Sequence, residues 1–424
     1  MQEDFLHDIW KYKKFDVSNL RTTVGELISI VSVGQPNQNA GPDFFNAQLK
    51  IDDQLWAGNV EVHIKSSDWY VHNHEQDKAY DNVILHVVWE HDTDVFRGDH
   101  SVIPTLELKK LVSKSAIINY EKLFSKTIKW INCENECSNI DDFIISNWLE
   151  RLYFERLERK AADIHVLLET SKNDWEAVLF KMLSKNFGLK INGESFLGMA
   201  NSFDFSIVRK CQSSLTSLEA LFFGSARLLE ENVEEAYYKK LQTEYHYLVN
   251  KFKLKAGHIP AAQFFRLRPT NFPTIRLAQL ASLYHEQHNL FSKIIENNTL
   301  EQFYDLFHIA ASKFWESHYT FKTSSKSSKK TLTKTFIDLL LINTIIPIKF
   351  SYAKYQNKDI EVGILQIIQK IASENNSILE KFNSLKLVSK SAMESQGLLQ
   401  LKNNYCDKNK CLQCAIGSSI LKSN

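Results

Sequence analysis

The sequence predicts an α+β chain, with a strand-rich N-terminal segment, a large all-helical region after it, and a cysteine-rich knuckle at the C-terminal end. Three observations predict it. Between residues 25 and 108, β-branched and apolar runs with a period of two are separated by Pro, Asn, Asp and Gly loops. From Asn147 onward, beginning with WLERLYFERLERKAADIHVLLE, apolar residues recur at helical spacing and strand signals nearly vanish. Three of the six cysteines, Cys406, Cys411 and Cys414, crowd together near the end of the 424 residues. That length exceeds the usual single domain, so the expected division is 1–125, 126–400 and a tail, 401–424, packed on the rest.

Residues 3 to 13 place Phe5, Leu6, Ile9, Trp10 and Tyr12 among charged residues, which suggests a short amphipathic helix. Gly25 to Gly34 reads as a strand, and residues 35 to 42, QPNQNAGP, as a loop. Asp43 to Ile51 and Leu55 to Lys65 flank an acidic turn and read as a hairpin. In its second strand Glu61, His63 and Lys65 share one face, and Val60, Val62 and Ile64 the other. His74 to Tyr80 suits a short helix, Asn82 to Glu90 a strand, and Pro104 to Leu108 an edge strand. Later helices are expected near 174–187, 216–253, 273–288, 301–315, 334–344, 362–374 and 388–399.

Composition narrows the class. With 44% hydrophobic and 24% charged residues, the chain has the make-up of a packed protein and not of a disordered one. The start, MQEDFLHDIWKYKK, lacks the pattern of a secretory signal. Leu339 to Ile348 is too short to span a bilayer and reads as a buried helix, so no membrane partner is expected. Six cysteines in so long a chain do not make a disulfide scaffold, and a reduced, cytoplasmic protein is expected. A formal charge of +1 decides nothing about nucleic acid.

Asp43 begins a strand after Pro42, and Glu61 lies on the next one. If they occupy the same sheet face, two carboxylates meet across the hairpin and suit one divalent metal, Mg²⁺ or Mn²⁺, which activates water for attack on a phosphate. His63 or Lys65 would then orient the water or move its proton. The bland alternative is a turn cap at Asp43 and a solvated strand residue at Glu61. A second constellation overlaps the first: Asp68, Trp69, His72, His74, Asp77, Asp81 and His86 bring three imidazoles together with carboxylates, a set that also suits zinc. No His-Glu-x-x-His occurs in it.

Pro42-Asp43 and Glu61-Val62-His63, on consecutive predicted strands in the order helix, three strands, helix, strand, resemble the PD-(D/E)XK nuclease superfamily over about residues 1 to 110. The resemblance implies a restriction-endonuclease-like core in which Asp43 and Glu61 bind Mg²⁺, with Glu3 the nearest acid on the first helix. His63 stands where that pattern has a lysine, and Lys65 points to the same side. Over its whole length the chain is also similar to an uncharacterised, Bacteroidota-rich family of bacterial proteins. The residues that carry this are Asn39 to Phe44, Gly58 to His63, Ser67-Asp68-Trp69, Arg268 to Pro273 and Cys411 to Gly417. That likeness implies no activity.

Three further features bear on function. Arg266, Arg268 and Arg276 surround two prolines before a helix and suit a phosphate site, or else brace the loop. Lys322, Lys326, Lys329, Lys330 and Lys334 suit a nucleic-acid backbone, or else a solvated loop. Cys406, Cys411 and Cys414 in a Cys-x4-Cys-x2-Cys spacing, with Cys133 as fourth ligand and Cys137 as its substitute, suit a structural Zn²⁺ or a 4Fe-4S cluster. A four-iron cluster there also resembles the one that distant cysteines clamp in some PD-(D/E)XK nucleases. The expected function is a metal-dependent nuclease or phosphodiesterase acting on DNA or RNA. The rival is a non-catalytic nucleic-acid-binding or protein-interaction scaffold, and oligomeric state is open.

Overall fold

The structure is a computed structural model that describes residues 2–37, 39–125, 129–254 and 259–422. Gln38 of the expected loop, and the residues just after the expected boundary at 125, lie outside the described residues. The chain divides into two compact units. The first comprises Met1–Trp148, Glu380–Leu387 and Leu399–Asn424, and the second Leu149–Leu379 and Val388–Leu398.

In the first unit helix α1 (Glu3–Lys11) opens with two acids at its positive end and closes on a lysine. Its apolar stripe, Phe5, Leu6, Ile9 and Trp10, is fully buried. At about 1.5–3 kcal/mol per buried large side chain, that stripe anchors the helix. The strands are β1 (Leu20–Arg21), β2 (Leu27–Ser32), β3 (Gln35–Pro36), β4 (Phe44–Ile51), β5 (Gln54–Lys65), β6 (Val83–Glu90) and β7 (Thr105–Glu107). They form one sheet in the order β1-β2-β4-β5-β6-β7, with β3 paired to β4. The pairs from β1 to β5 are antiparallel, whereas β5 with β6 and β6 with β7 are parallel. A parallel neighbour needs a crossover. Here residues 66–82 supply it, as helix α2 (Asp68–Val71) and two single 3-10 turns, His74–Gln76 and Lys78–Tyr80, where one short helix was expected.

Strand β6 is buried from Val83 to Val88, as expected for a strand with parallel neighbours on both sides. Its start lies so close to β5 that a Cβ on Gly58 would fall 2.4 Å from Ile84 Cγ2 and 2.6 Å from Asn82 O, so only glycine fits there. The hairpin register pairs Phe44 with Val60 but slips between Phe44 and Ala47, where Asn46 takes a positive φ of 56°. The C-terminal segment is built into this unit: Asn119 Nδ2, on helix α3 (Lys114–Leu123), donates to Ile420 O at 3.1 Å, and Asn132 Nδ2 to Asn409 Oδ1 at 3.2 Å.

Helices build the second unit, around a core that includes Tyr153, Phe180, Phe187, Phe222, Tyr284 and Trp315. The stretch expected as one helix over 216–253 is two, Leu215–Ser225 and Ala236–Phe252. They pack so closely that a Cβ on Gly224 would meet the Tyr245 ring at 2.2 Å. The helix expected over 334–344 continues through Pro347 to Tyr355. Lys334–Tyr355 is long and apolar enough to cross a membrane, and 78% of its apolar window is buried inside the fold. Pro347 is tolerated because a wide π turn, Leu341–Ile345, precedes it.

Candidate functional site

Glu61 and His63, two apart on β5, project from one face of the sheet, and His86 pairs with Glu61 across the parallel ladder. The crossover lays Trp69, His72, His74 and Tyr80 over this face. His63 Nε2 lies 3.1 Å from His72 Nδ1, and His63 Nδ1 lies 2.8 Å from His86 Nε2. One ring nitrogen from each of His63, His72 and His74 falls within 4.8 Å of the other two. Among the described residues this is the one group of three or more His, Cys, Asp or Glu donors close enough to hold an ion.

Aromatic packing fixes the imidazoles. His74 stacks on Tyr80 at 3.8 Å between centroids and on His63 at 5.3 Å. The fully buried Trp69 ring packs edge-on to His74, 5.3 Å away. His74 Nε2 is buried, with Glu61 Oε1 3.3 Å away as its charged neighbour. His63 is 2% exposed, and burial, aided by its imidazole neighbours, lowers its pKa to about 3, so it is neutral at physiological pH. Burial likewise holds His86 well below the usual histidine range. His72 is exposed and opens the cluster to solvent. Tyr80 is pushed up to about 12 by burial and by the nearby Glu61 and Asp43 carboxylates.

The expected Asp43–Glu61 metal pair is not what the structure builds. Glu61 Oε2 accepts from Asp43 N at 3.1 Å, and Asp43 Oδ2 accepts from Val62 N at 3.0 Å. Each carboxylate thus closes the ladder on the other's strand beside the bulge, and Asp43 Oδ2 also pairs with His7 Nε2 at 3.2 Å. The two acids are a structural clamp, and with their pairing as ligands go the Mg²⁺ or Mn²⁺ site and the acid-metal nuclease or phosphodiesterase built on it. Glu61 remains part of the site through Oε1, and burial raises its pKa. His63 is central, as a ligand candidate and not as a stand-in for a catalytic lysine. Lys65 is exposed at the strand end, where its charge acts on Glu90 and Asp92. Glu3 lies within electrostatic reach of His72, Asp43 and His7, and burial raises it.

The expected Zn²⁺ or 4Fe-4S centre at the cysteines is also corrected. Cys133, Cys406, Cys411 and Cys414 line a cavity of about 20 Å³ together with Ile131 and Leu387. They do not form a ligand group. The sulfurs have other partners: Cys411 Sγ accepts from Asn132 Nδ2 at 3.3 Å, and the Cys137 thiol donates to Glu134 O at 3.6 Å. The Cys133 thiol is raised by its hydrogen bond with Cys137 and by burial, and burial pushes Cys414 up to about 11. Cys137 is held lower by its hydrogen bond with Cys133, but it belongs to no ligand group among the described residues and is not a substitute ligand. The three late cysteines lie on separate short elements, a π turn, a 3-10 turn and the residue before a helix, and do not form a metal knuckle.

Of the three arginines, Arg276 is 6% exposed, donates to Gln279 Oε1 at 2.9 Å and Asn271 Oδ1 at 2.6 Å, and lies 3.5 Å over the Phe336 ring. It braces the loop. Arg266 and Arg268 are exposed. In the lysine-rich stretch Lys330 is buried and donates to Glu316 O at 2.6 Å, Lys322 pairs with Glu231, and Lys334 lies over the Tyr304 ring.

The density of histidines between 63 and 86 was the sequence signal for this cluster. His7, delivered by α1, gave none. In comparison with known proteins, residues 3–377 match the model of a family described as "Protein of unknown function (DUF2851)". No curated protein and no solved structure matches the chain, and no comparison links it to the PD-(D/E)XK superfamily.

Proposed function

We propose, for a chain that belongs to the DUF2851 family, that His63, His72 and His74 hold one zinc-type divalent ion whose open position carries a reactive water. The observation that carries the reading is the convergence of three ring nitrogens within 4.8 Å. Ring nitrogens on one tetrahedral zinc lie roughly 3.3 Å apart, given Zn–N bonds of about 2.0–2.1 Å. The 3.1 Å between His63 Nε2 and His72 Nδ1 fits that edge. Imidazole suits zinc, and three protein ligands leave room for a solvent molecule. His63 is neutral and needs no deprotonation to bind.

With Nε2 on the ion, His63 carries its proton on Nδ1 and donates to His86 Nε2, an outer partner that fixes ring and tautomer. Glu61 Oε1, 3.3 Å from His74 Nε2 and 3.6 Å from His63 Nε2, stands where it can take a proton from ion-bound water. Hydrolysis is the reaction class this supports. The six unpaired cysteines support a reducing compartment, in line with a cytoplasmic protein. The order α1, β2, β4, β5, α2, β6 supports, on topology alone, a restriction-endonuclease-like architecture for the sheet. The nuclease chemistry does not come with it.

The test is metal titration of chelator-stripped protein with Zn²⁺ and Co²⁺, read by calorimetry and by the Co²⁺ visible spectrum. One ion per chain and a tetrahedral Co²⁺ spectrum are expected, with both lost in His63→Ala and His74→Ala. Equal binding by the wild type and both variants would sink the reading.

A further inference from the structure

In the helical unit a buried arginine and a half-buried lysine sit side by side, and neither is ion-paired among the described residues. Helix α4 (Asp142–Thr170) presents Tyr153, Arg156 and Lys160 on one face, at spacings of three and four residues. Tyr153 is fully buried and Arg156 is 7% exposed. Arg156 Nη2 and Lys160 Nζ both donate to the same oxygen, Asn343 Oδ1, each at 3.1 Å, and Lys160 Nζ also reaches Asn343 O at 3.3 Å. Asn343 lies in the π turn, where Pro347 has no N–H to give the carbonyl four residues back.

Two positive groups therefore share one neutral amide, and neither makes an ion pair among the described residues. The nearest acids do not close the gap. Glu374 is felt by both cations and Asp163 by Lys160, but only at a distance, while exposed Arg159 adds to the positive field. The Glu374 carboxylate is itself hydrogen-bonded to Gln396 Nε2. Two polar groups are left buried with no partner: Arg156 Nη1 and the Tyr153 hydroxyl. An unpaired buried charge is among the costliest features a fold can hold.

We propose that Arg156, Lys160 and Tyr153 form a binding site for a small oxyanion, a phosphate or carboxylate group, that accepts from Arg156 Nη1 and the Tyr153 hydroxyl. The planar guanidinium suits a paired-oxygen acceptor, and the lysine beside it adds a point charge. Burial and the adjacent Arg156 lower Lys160 to about 7, and a bound anion would restore its charge. π turns recur at functional sites, and this one supplies the amide that holds the two cations together.

The experiment is calorimetric titration of the full-length, metal-stripped protein with sodium phosphate and, separately, sodium acetate, each against sodium chloride at matched ionic strength and pH. Saturable binding of at least one oxyanion is expected. Phosphate alone binding identifies a phosphate-type ligand, and acetate alone a carboxylate. Arg156→Met and Lys160→Met should each weaken binding about tenfold or more, and Tyr153→Phe by several-fold, since charged hydrogen bonds contribute more than neutral ones. Apolar replacement of buried ions is tolerated by many folds, and Tyr153→Phe keeps the ring in place. No saturable binding of either anion beyond chloride, or affinity retained in the Arg156 and Tyr153 variants, overturns the site.

Discussion

Asp43 and Glu61 illustrate how the same carboxylate serves two ends. Facing acids on adjacent strands suit a cation, but a carboxylate at the end of a ladder can also accept the backbone N–H that the bulge leaves over. Asp43→Ala should therefore cost about 1–3 kcal/mol of stability, because the Val62 N–H loses its acceptor. Zinc stoichiometry should be unchanged. Urea denaturation alongside metal analysis checks both; lost metal with intact stability would return Asp43 to the ion. Glu219, in the helical unit, behaves differently. It is fully buried, accepts from the Tyr237 hydroxyl and, at 3.3 Å, from Trp315 Nε1, and burial raises its pKa to about 7. The folded state thus binds its proton more tightly than the unfolded chain, so stability falls as pH rises from the unfolded value of 4.5 to about 7. The drop should be about 3 kcal/mol. Glu219→Gln should flatten that part of a stability profile followed from pH 4 to 8, and an unaltered slope would show that another group titrates.

At the scale of elements, the site's strands were legible and its crossover was not. A period of two put Glu61 and His63 on one face of β5. The apolar neighbours of His86 marked β6 as buried, and the parallel register then brings His86 beside Glu61. The position of Asp43 could not be extrapolated, since the slip at Asn46 breaks the alternation that such a reading relies on. His72 and His74 lie on short turns with no period to read, so the sequence reveals their density and leaves their convergence to the packing of Trp69 and Tyr80. The stretch 216–253 reads as one helix because residues 226–235, where it breaks, contain neither Gly nor Pro, while Gly224, inside the first helix, lacks the side chain that would keep the Tyr245 ring away. The β6 strand also makes its own prediction. His86→Phe keeps the ring's bulk in the sheet but removes the acceptor behind His63, so metal affinity should fall about 10–100-fold. Competition against a chelating dye measures it. Unchanged affinity would mean that another group orients His63.

Contacts spanning nearly the whole chain shape the first unit. Lys14 Nζ reaches Ser418 Oγ at 3.4 Å while pairing with Asp8 at 2.6 Å, and no local pattern in either segment announces this. The cysteine spacing near the C terminus suits metal chemistry, yet the segment around it contributes Leu401, Cys414, Ile416, Ile420 and Leu421 to the buried interior. Full burial of a large apolar side chain contributes about 1.5–3 kcal/mol, and a whole domain is stable by only about 5–15 kcal/mol. Removing Leu399–Asn424 should therefore unfold the sheet-bearing unit that contains it. The histidine cluster lies in that unit, so zinc binding should go too, although no ligand has been deleted. The helical unit ends at Leu398, before the deletion, and its buried core reaches Met393 among the described residues, so it should keep its own unfolding transition. Calorimetry, limited proteolysis and metal analysis of the truncated protein beside the full chain separate the outcomes. One remaining transition with no bound zinc is the expected result, whereas two transitions and a full complement of zinc would make the C-terminal segment peripheral.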